Sequence, residues 1–185
     1  MRKPCGAILF CFIALPLAHA KEANLPNSCG SASTKFSVQV AKPGSTAPNL
    51  TPPPGKALFV FIEVEKLGGW GKAWLGLHFG FDGAWVGATE DKSYFVTPVD
   101  PGAHHLCVMP THSLNTIVAG IHTVKAGHVE EFNAEAGQIY FFAGTIYPSG
   151  PFSNSLVYFY TFLREEQGWD QLKVSGLATA KFKEK

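Results

Sequence analysis

Charge of either sign is scarce in this chain: 16% of its 185 residues are Asp, Glu, Lys or Arg, and they sum to a net +1. Without a basic run, the electrostatic footprint of nucleic-acid binding is missing. No basic amphipathic helix suggests a membrane-surface role. Long apolar runs are missing too. The stretch Ala7–Leu17 falls well short of the ~20 residues that span a bilayer, so no transmembrane segment is expected in the mature chain. There is no G-x-S-x-G elbow and no H-E-x-x-H pair, the signatures of one class of serine hydrolase and one class of zinc hydrolase. Neither an internal repeat, a low-complexity tract nor a long helical period is present, which excludes solenoids and helical bundles.

Cysteine is also scarce, and its placement matters. Of four cysteines, Cys5 and Cys11 lie in a leader with a positive start at Arg2 and Lys3, the apolar run, and a small-x-small site at Ala18-His19-Ala20. A lipoprotein anchor does not fit: Cys11 follows bulky Phe10 inside the apolar run, and Cys29 follows Ser28 with no apolar run before it. Cleavage after Ala20 and export are therefore expected, to the periplasm, the cell surface or the medium. The mature chain keeps Cys29 and Cys107. Two cysteines in an oxidising compartment most often pair, and closing a loop of about 80 residues stabilises a fold by up to ~4 kcal/mol in the chain-entropy description. The alternative is that Cys107 serves as a thiolate ligand.

What the chain has in quantity is Gly, Pro and aromatic residues: 19 Gly, 13 Pro and 15 Phe. Leu75, Leu77, Phe79 and Phe81 alternate with Gly76, His78 and Gly80, the period of a strand buried on one face. Asp82-Gly83 then suits a two-residue hairpin turn, in which both residues take positive φ. Ala84–Ala88 returns, Glu90-Asp91-Lys92 turns, Ser93–Val99 follows, Asp100-Pro101-Gly102 turns again, and His104–Met109 leaves. Read alone, this is an antiparallel meander. Further strands are expected at Phe36–Val40, Ala57–Val64 (apolar on both faces, hence central), Ile117–Val124 and Leu156–Leu163, with a hairpin of Val129–Ala134 and Gln138–Gly144 around Glu135-Ala136-Gly137. Between the first two lies a proline-rich connector, Lys42–Gly55, with a formal sequon at Asn49-Leu50-Thr51. Arg164–Leu172 suits one short helix with Trp169 and Leu172 on one side, interrupted by Gly168, and Lys181–Lys185 reads as a frayed charged tail. The sum is an all-β, antiparallel β-sandwich of about eight strands with a short C-terminal helix. It divides into a signal peptide at 1–20, a tail, first strand and connector at 21–55, the sandwich at 56–163, and the helix and charged tail at 164–185.

The run DG-x-x-VG from Asp82, then SYF at 93–95, PG-x-H at 101–104 and AGQ-x-Y at Ala136–Tyr140 resembles the bacterial domain of unknown function 2846, over roughly Lys56 to Leu163. Its DG…G…PG-x-H part is also similar to PEGA-type sandwich domains. The resemblance implies an exported or envelope-associated β-sandwich without assigned catalytic residues. It also implies a bridge between the early Cys29-Gly30 and the His104-His105-Leu106-Cys107 run. Asp82, Gly83, Pro101, Gly102 and His104 are its turn positions, and His104 is expected to bond a nearby turn carbonyl and lock that corner.

Three groups of side chains could carry more. His104, His105, Cys107 and Met109, with His112 beyond, form the soft donor set of copper or zinc sites. On a strand, however, alternate residues face opposite ways and same-face neighbours are about 7 Å apart. Trp70, Trp74 and Trp85 surround the first hairpin and could stack on a glycan or anchor an envelope protein, though Trp74 and Trp85 are also suited to plugging the sandwich ends. Glu130, Glu131 and Glu135 would need a cleft to act as an acid/base pair. The leading expectation is an exported, non-catalytic binding or structural accessory domain of the cell envelope, with no cofactor. Periplasmic metal handling comes next. A glycan-binding module using exposed tryptophan, and a hydrolase using an unrecognised carboxylate pair, follow.

Overall fold

The computed structural model describes residues 30, 34–44, 50–64, 76–110, 122–123, 129–148 and 155–183. The other residues, including 1–20, where a leader is expected, and Cys29, Trp70, Trp74 and His112, lie outside the described residues, as does most of the strand expected at Ile117–Val124. The elements in chain order are β1 (Phe36–Val40), β2 (Ala57–Glu63), β3 (Leu77–Phe81), β4 (Ala84–Thr89), β5 (Ser93–Val99), β6 (Gly102–Pro110), β7 (His122–Thr123), β8 (Val129–Ala134), β9 (Ile139–Pro148), β10 (Ser155–Leu163), α1 (Glu165–Val174) and β11 (Gly176–Phe182). Two sheets form the sandwich, with orders β1-β11-β5-β2-β9-β10-β7 and β4-β3-β6-β8.

The apolar-on-both-faces run of β2 places it in the middle of the larger sheet, antiparallel to β5 and parallel to β9. Its Phe59 and Phe61 point into the sandwich, against Leu77, Phe79, Leu106 and Val108 of the smaller sheet. Val60 and Ile62 point the other way and are covered by Leu172 of α1 together with Tyr94 and Phe141. Phe59 is the centre of the inner layer, edge-on to Phe61, Phe81, Phe132, Tyr140 and Phe142 at ring separations of 5.1–6.1 Å. That geometry suits the ring quadrupoles, whose positive edges meet negative faces.

The sandwich is the expected one, but three of its details differ from the reading of the sequence. First, the Phe81–Met109 stretch is not a continuous meander. β3 and β4 form the Asp82-Gly83 hairpin, with φ of 54° and 81° at the turn. β5 then crosses to the larger sheet, and β6 returns to pair with β3. A hairpin and a sheet switch use the same turn residues; here Asp91 and Lys92 take positive φ of 53° and 49°. Second, the larger sheet is mixed, because β2–β9, β5–β11 and β7–β10 run parallel, and β8 and β9 are not a hairpin, since β8 pairs with β6 in one sheet and β9 with β2 and β10 in the other. Third, the C-terminal residues through Phe182 are ordered in β11, which lies between β1 and β5. Its alternating positions are small (Gly176, Ala178, Ala180), so its burial pattern carried little hydrophobic signal.

Gly168 does not interrupt α1. It is buried against the ring of Phe141, where an added Cβ would lie 2.2 Å from Cγ. The glycine lets the helix axis approach the sheet. The helix start is held by Gln167, whose Oε1 accepts from the Arg164 backbone N–H at 3.1 Å. Glu165 and Glu166 in the first turn and Lys173 in the last complement its dipole.

Candidate functional site

The corner where the β3–β4 turn meets β6 holds a polar network. Asp82, at the turn, accepts from the backbone N–H of His105 through Oδ1 at 2.9 Å. Its Oδ2 faces Nδ1 of His104 at 2.7 Å, and its own N–H donates to the carbonyl of His105 at 2.9 Å. The other ring nitrogen of His104, Nε2, lies 2.8 Å from the carbonyl of Asp100. The ring is buried and edge-on to Phe59 and Phe81 at 5.6 Å. The carbonyl partner is the one the turn pattern suggested; the Asp82 partner was not foreseen. With both nitrogens engaged, His104 serves as a strut between two turns. Pro101 is exposed at the head of the second turn, and Gly102 has φ of 128°.

Strand alternation separates the soft donors. Leu106 and Val108 face the sandwich interior on the side of His104, whereas Cys107 packs on the opposite face with Trp85, Phe36 and Ala88, and with Met109 beside them. Cys107 is 2% exposed and enclosed by these side chains. His105 keeps a buried Nδ1 without a hydrogen-bond partner among the described residues. Among the described residues no group of three or more His, Cys, Asp or Glu side chains is placed to hold a metal ion.

Trp85 is 6% exposed. It fills the packing role and not that of a surface anchor, lying in a cluster with Phe36 of β1, Ala88 of β4 and Cys107 of β6, with Ala180 of β11 against it. Gly30, the residue after Cys29, lies against it. A Cβ at Gly30 would sit 3.1 Å from Trp85 Cδ1 and 3.2 Å from the carbonyl of Gly83, and its φ is +68°. The segment before β1 therefore reaches the face that carries Cys107. Of the candidate carboxylates, Glu131 and Glu135 are exposed and form a solvated rim; the side chain of Glu130 lies outside the described residues.

A different carboxylate is the chemically unusual one. Glu63, at the end of β2, is 4% exposed. Its Oε2 accepts from Thr89 Oγ1 at 2.7 Å. Burial pushes its carboxyl up to about 8, and the charges of Asp91 and Glu90 add to the rise, against the opposing hydrogen bonds from Thr89 and Leu77. In the neutral form the carboxyl can donate to Thr89 Oγ1, leaving that hydroxyl to turn towards the Leu77 carbonyl 3.5 Å away. The group thus links β2 of one sheet to β3 and β4 of the other. The signal was present in the sequence: Glu63 is the one ionisable residue in the run ALFVFIEV.

Fold and site define an all-β sandwich whose polar residues at these places hold corners and sheets together. No family model, no curated protein and no solved structure matches this chain. Among the described residues no helix is long and apolar enough to cross a membrane.

Proposed function

We propose that this chain is an exported, non-catalytic β-sandwich that acts as a binding or structural accessory domain of the bacterial cell envelope. The observation that supports the reading is the burial of Cys107 on the face of β6 that Gly30, the residue after Cys29, also reaches through Trp85. Disulfides persist in oxidising compartments and are rare in the cytosol, and the leader at 1–20 supplies the route. Cys29 is the partner of Cys107 in this reading. It is the other cysteine of the mature chain, and its neighbour Gly30 lies on Trp85, in the same packed face as Cys107. The non-catalytic part rests on how the ionisable residues are used: His104 is engaged at both nitrogens and Glu63 is enclosed between sheets. Metal handling through His104, His105, Cys107 and Met109 is the weaker alternative, since in this reading Cys107 is committed to a bridge and His104 lies on the opposite face of β6. Protein recovered from the envelope of its native host should begin at Lys21. An intact Met1 terminus on that material would overturn the export reading.

A further inference from the structure

On the outer face of the larger sheet, α1 covers β2 but leaves an open cleft of about 390 Å3 beside β9 and β10. That size lies within the roughly 300–1,000 Å3 of small-molecule sites. Gln167, Asp170 and Gln171 line one wall, at i, i+3 and i+4 of the helix and hence on one side of it. The floor has the hydroxyls of Thr145 and Thr161 next to Ala143 and Leu163. Alternation along β9 and β10, with Thr161 opposite Ala143, brings these four to one surface.

The bonds already made decide which groups remain. Gln167 Oε1 is taken by the Arg164 backbone N–H and Nε at 3.1 and 3.3 Å, so its NH2 is the part left for a ligand. Asp170 gives Oδ1 to Lys173 Nζ at 2.8 Å and keeps Oδ2 as an acceptor. Gln171, half-buried, offers both a donor and an acceptor. Among the described residues no Lys, Arg or His lines the cleft; Lys173 and Arg164 beside its wall are engaged by Asp170 and Gln167, so a phosphate or carboxylate would meet the Asp170 carboxylate with no cation of the lining to face it. The set calls for a neutral molecule whose polar groups both donate and accept, with a C–H surface to lie on Ala143 and Leu163. Vicinal hydroxyls on a sugar ring have that character.

We infer that the cleft between α1 and strands β9–β10 binds a neutral saccharide of one or two units. The inference deepens the binding-domain reading and rests on it, but moves the ligand away from the tryptophans.

The test is an amide-resolved NMR titration of the mature, oxidised protein with glucose, N-acetylglucosamine, maltose, glucuronate and a triglycine peptide. At least one neutral sugar should give saturable shifts at the side-chain amides of Gln167 and Gln171 and the backbone amides of Thr145 and Thr161. Half-saturation is expected at about 1–10 mM, with glucuronate weaker by about tenfold or more. Gln171→Leu, whose folding is checked by its melting curve, should weaken the response about tenfold; should it not fold, Gln171→Glu, which adds like charge beside Asp170, replaces it with the same expectation. Absence of saturable shifts with every neutral sugar overturns the inference, as does equal binding of glucuronate, or a response confined to triglycine. None of those results touches the N-terminus or the disulfide, so the export reading would stand or fall separately.

Discussion

Asp82 and His104 are 22 residues apart, yet the carboxylate of one faces Nδ1 of the other at 2.7 Å. The same carboxylate accepts from the next backbone N–H, that of His105. One aspartate in a turn thus fixes both the tilt of the β3–β4 hairpin and the start of β6.

Asp82→Ala should lose both side-chain bonds and place a Cβ-bearing residue without local hydrogen-bonding capacity at φ 54°. A loss of about 2–4 kcal/mol in urea denaturation is expected. Asp82→Asn keeps a tolerated residue at that φ and an oxygen for the His105 N–H, so it should lose less. Equal stability of the alanine variant and the wild type would show that the corner is held elsewhere.

Gly168 faces Phe141 as closely. In an exposed helix, Gly→Ala stabilises by about 1 kcal/mol. Here the new methyl would enter the Phe141 ring, and overpacking costs about 1–3 kcal/mol. Because the contact is with a ring already held between the sheet and Trp169, the clash should win. Gly168→Ala is expected to be destabilised, while Glu166→Ala on the exposed side stays near neutral. A stabilised Gly168→Ala would mean the helix does not sit where described.

Glu63 sets the pH dependence. Its carboxyl is raised from 4.5 to about 8 in the fold, so between those values the native chain holds a proton that the unfolded chain has released. Stability must then fall as pH rises through that window. The contribution is absent below the lower value and constant above the upper one. The upper bound is on the order of 4–5 kcal/mol, with Asp91 and Glu90 of the β4–β5 turn adding to the repulsion. Glu63→Gln should flatten the curve between about pH 5 and pH 8. The same slope in both proteins would remove Glu63 as its source.

These residues also mark what could be read from sequence. Asp82-Gly83 and Asp100-Pro101-Gly102 announced their turns, since few residues adopt those backbone angles. The apolar run of β2 announced a central strand. Period-two alternation does not say which sheet a strand joins, so the crossing of β5 was hidden, as were the parallel pairings, which are made between strands far apart in sequence. β11 was missed because glycine and alanine bury little area. Gly168 was misread for a related reason: its value lies in a contact with Phe141, 27 residues away, that propensity does not encode. His104 was legible at one end only. The Asp100 carbonyl is local, whereas the Asp82 carboxylate becomes a neighbour only when β6 returns to β3. The cleft beside α1 depends on where the helix docks and left no trace in the sequence.

The most direct test of the account is a peptide map of mature protein, denatured and alkylated without reduction. It should contain no free thiol and should yield the Cys29 segment joined to the Cys107 segment, in keeping with Gly30 lying against Trp85. Two free thiols, accompanied by stoichiometric copper or zinc, would contradict both the bridge and the export reading built on it.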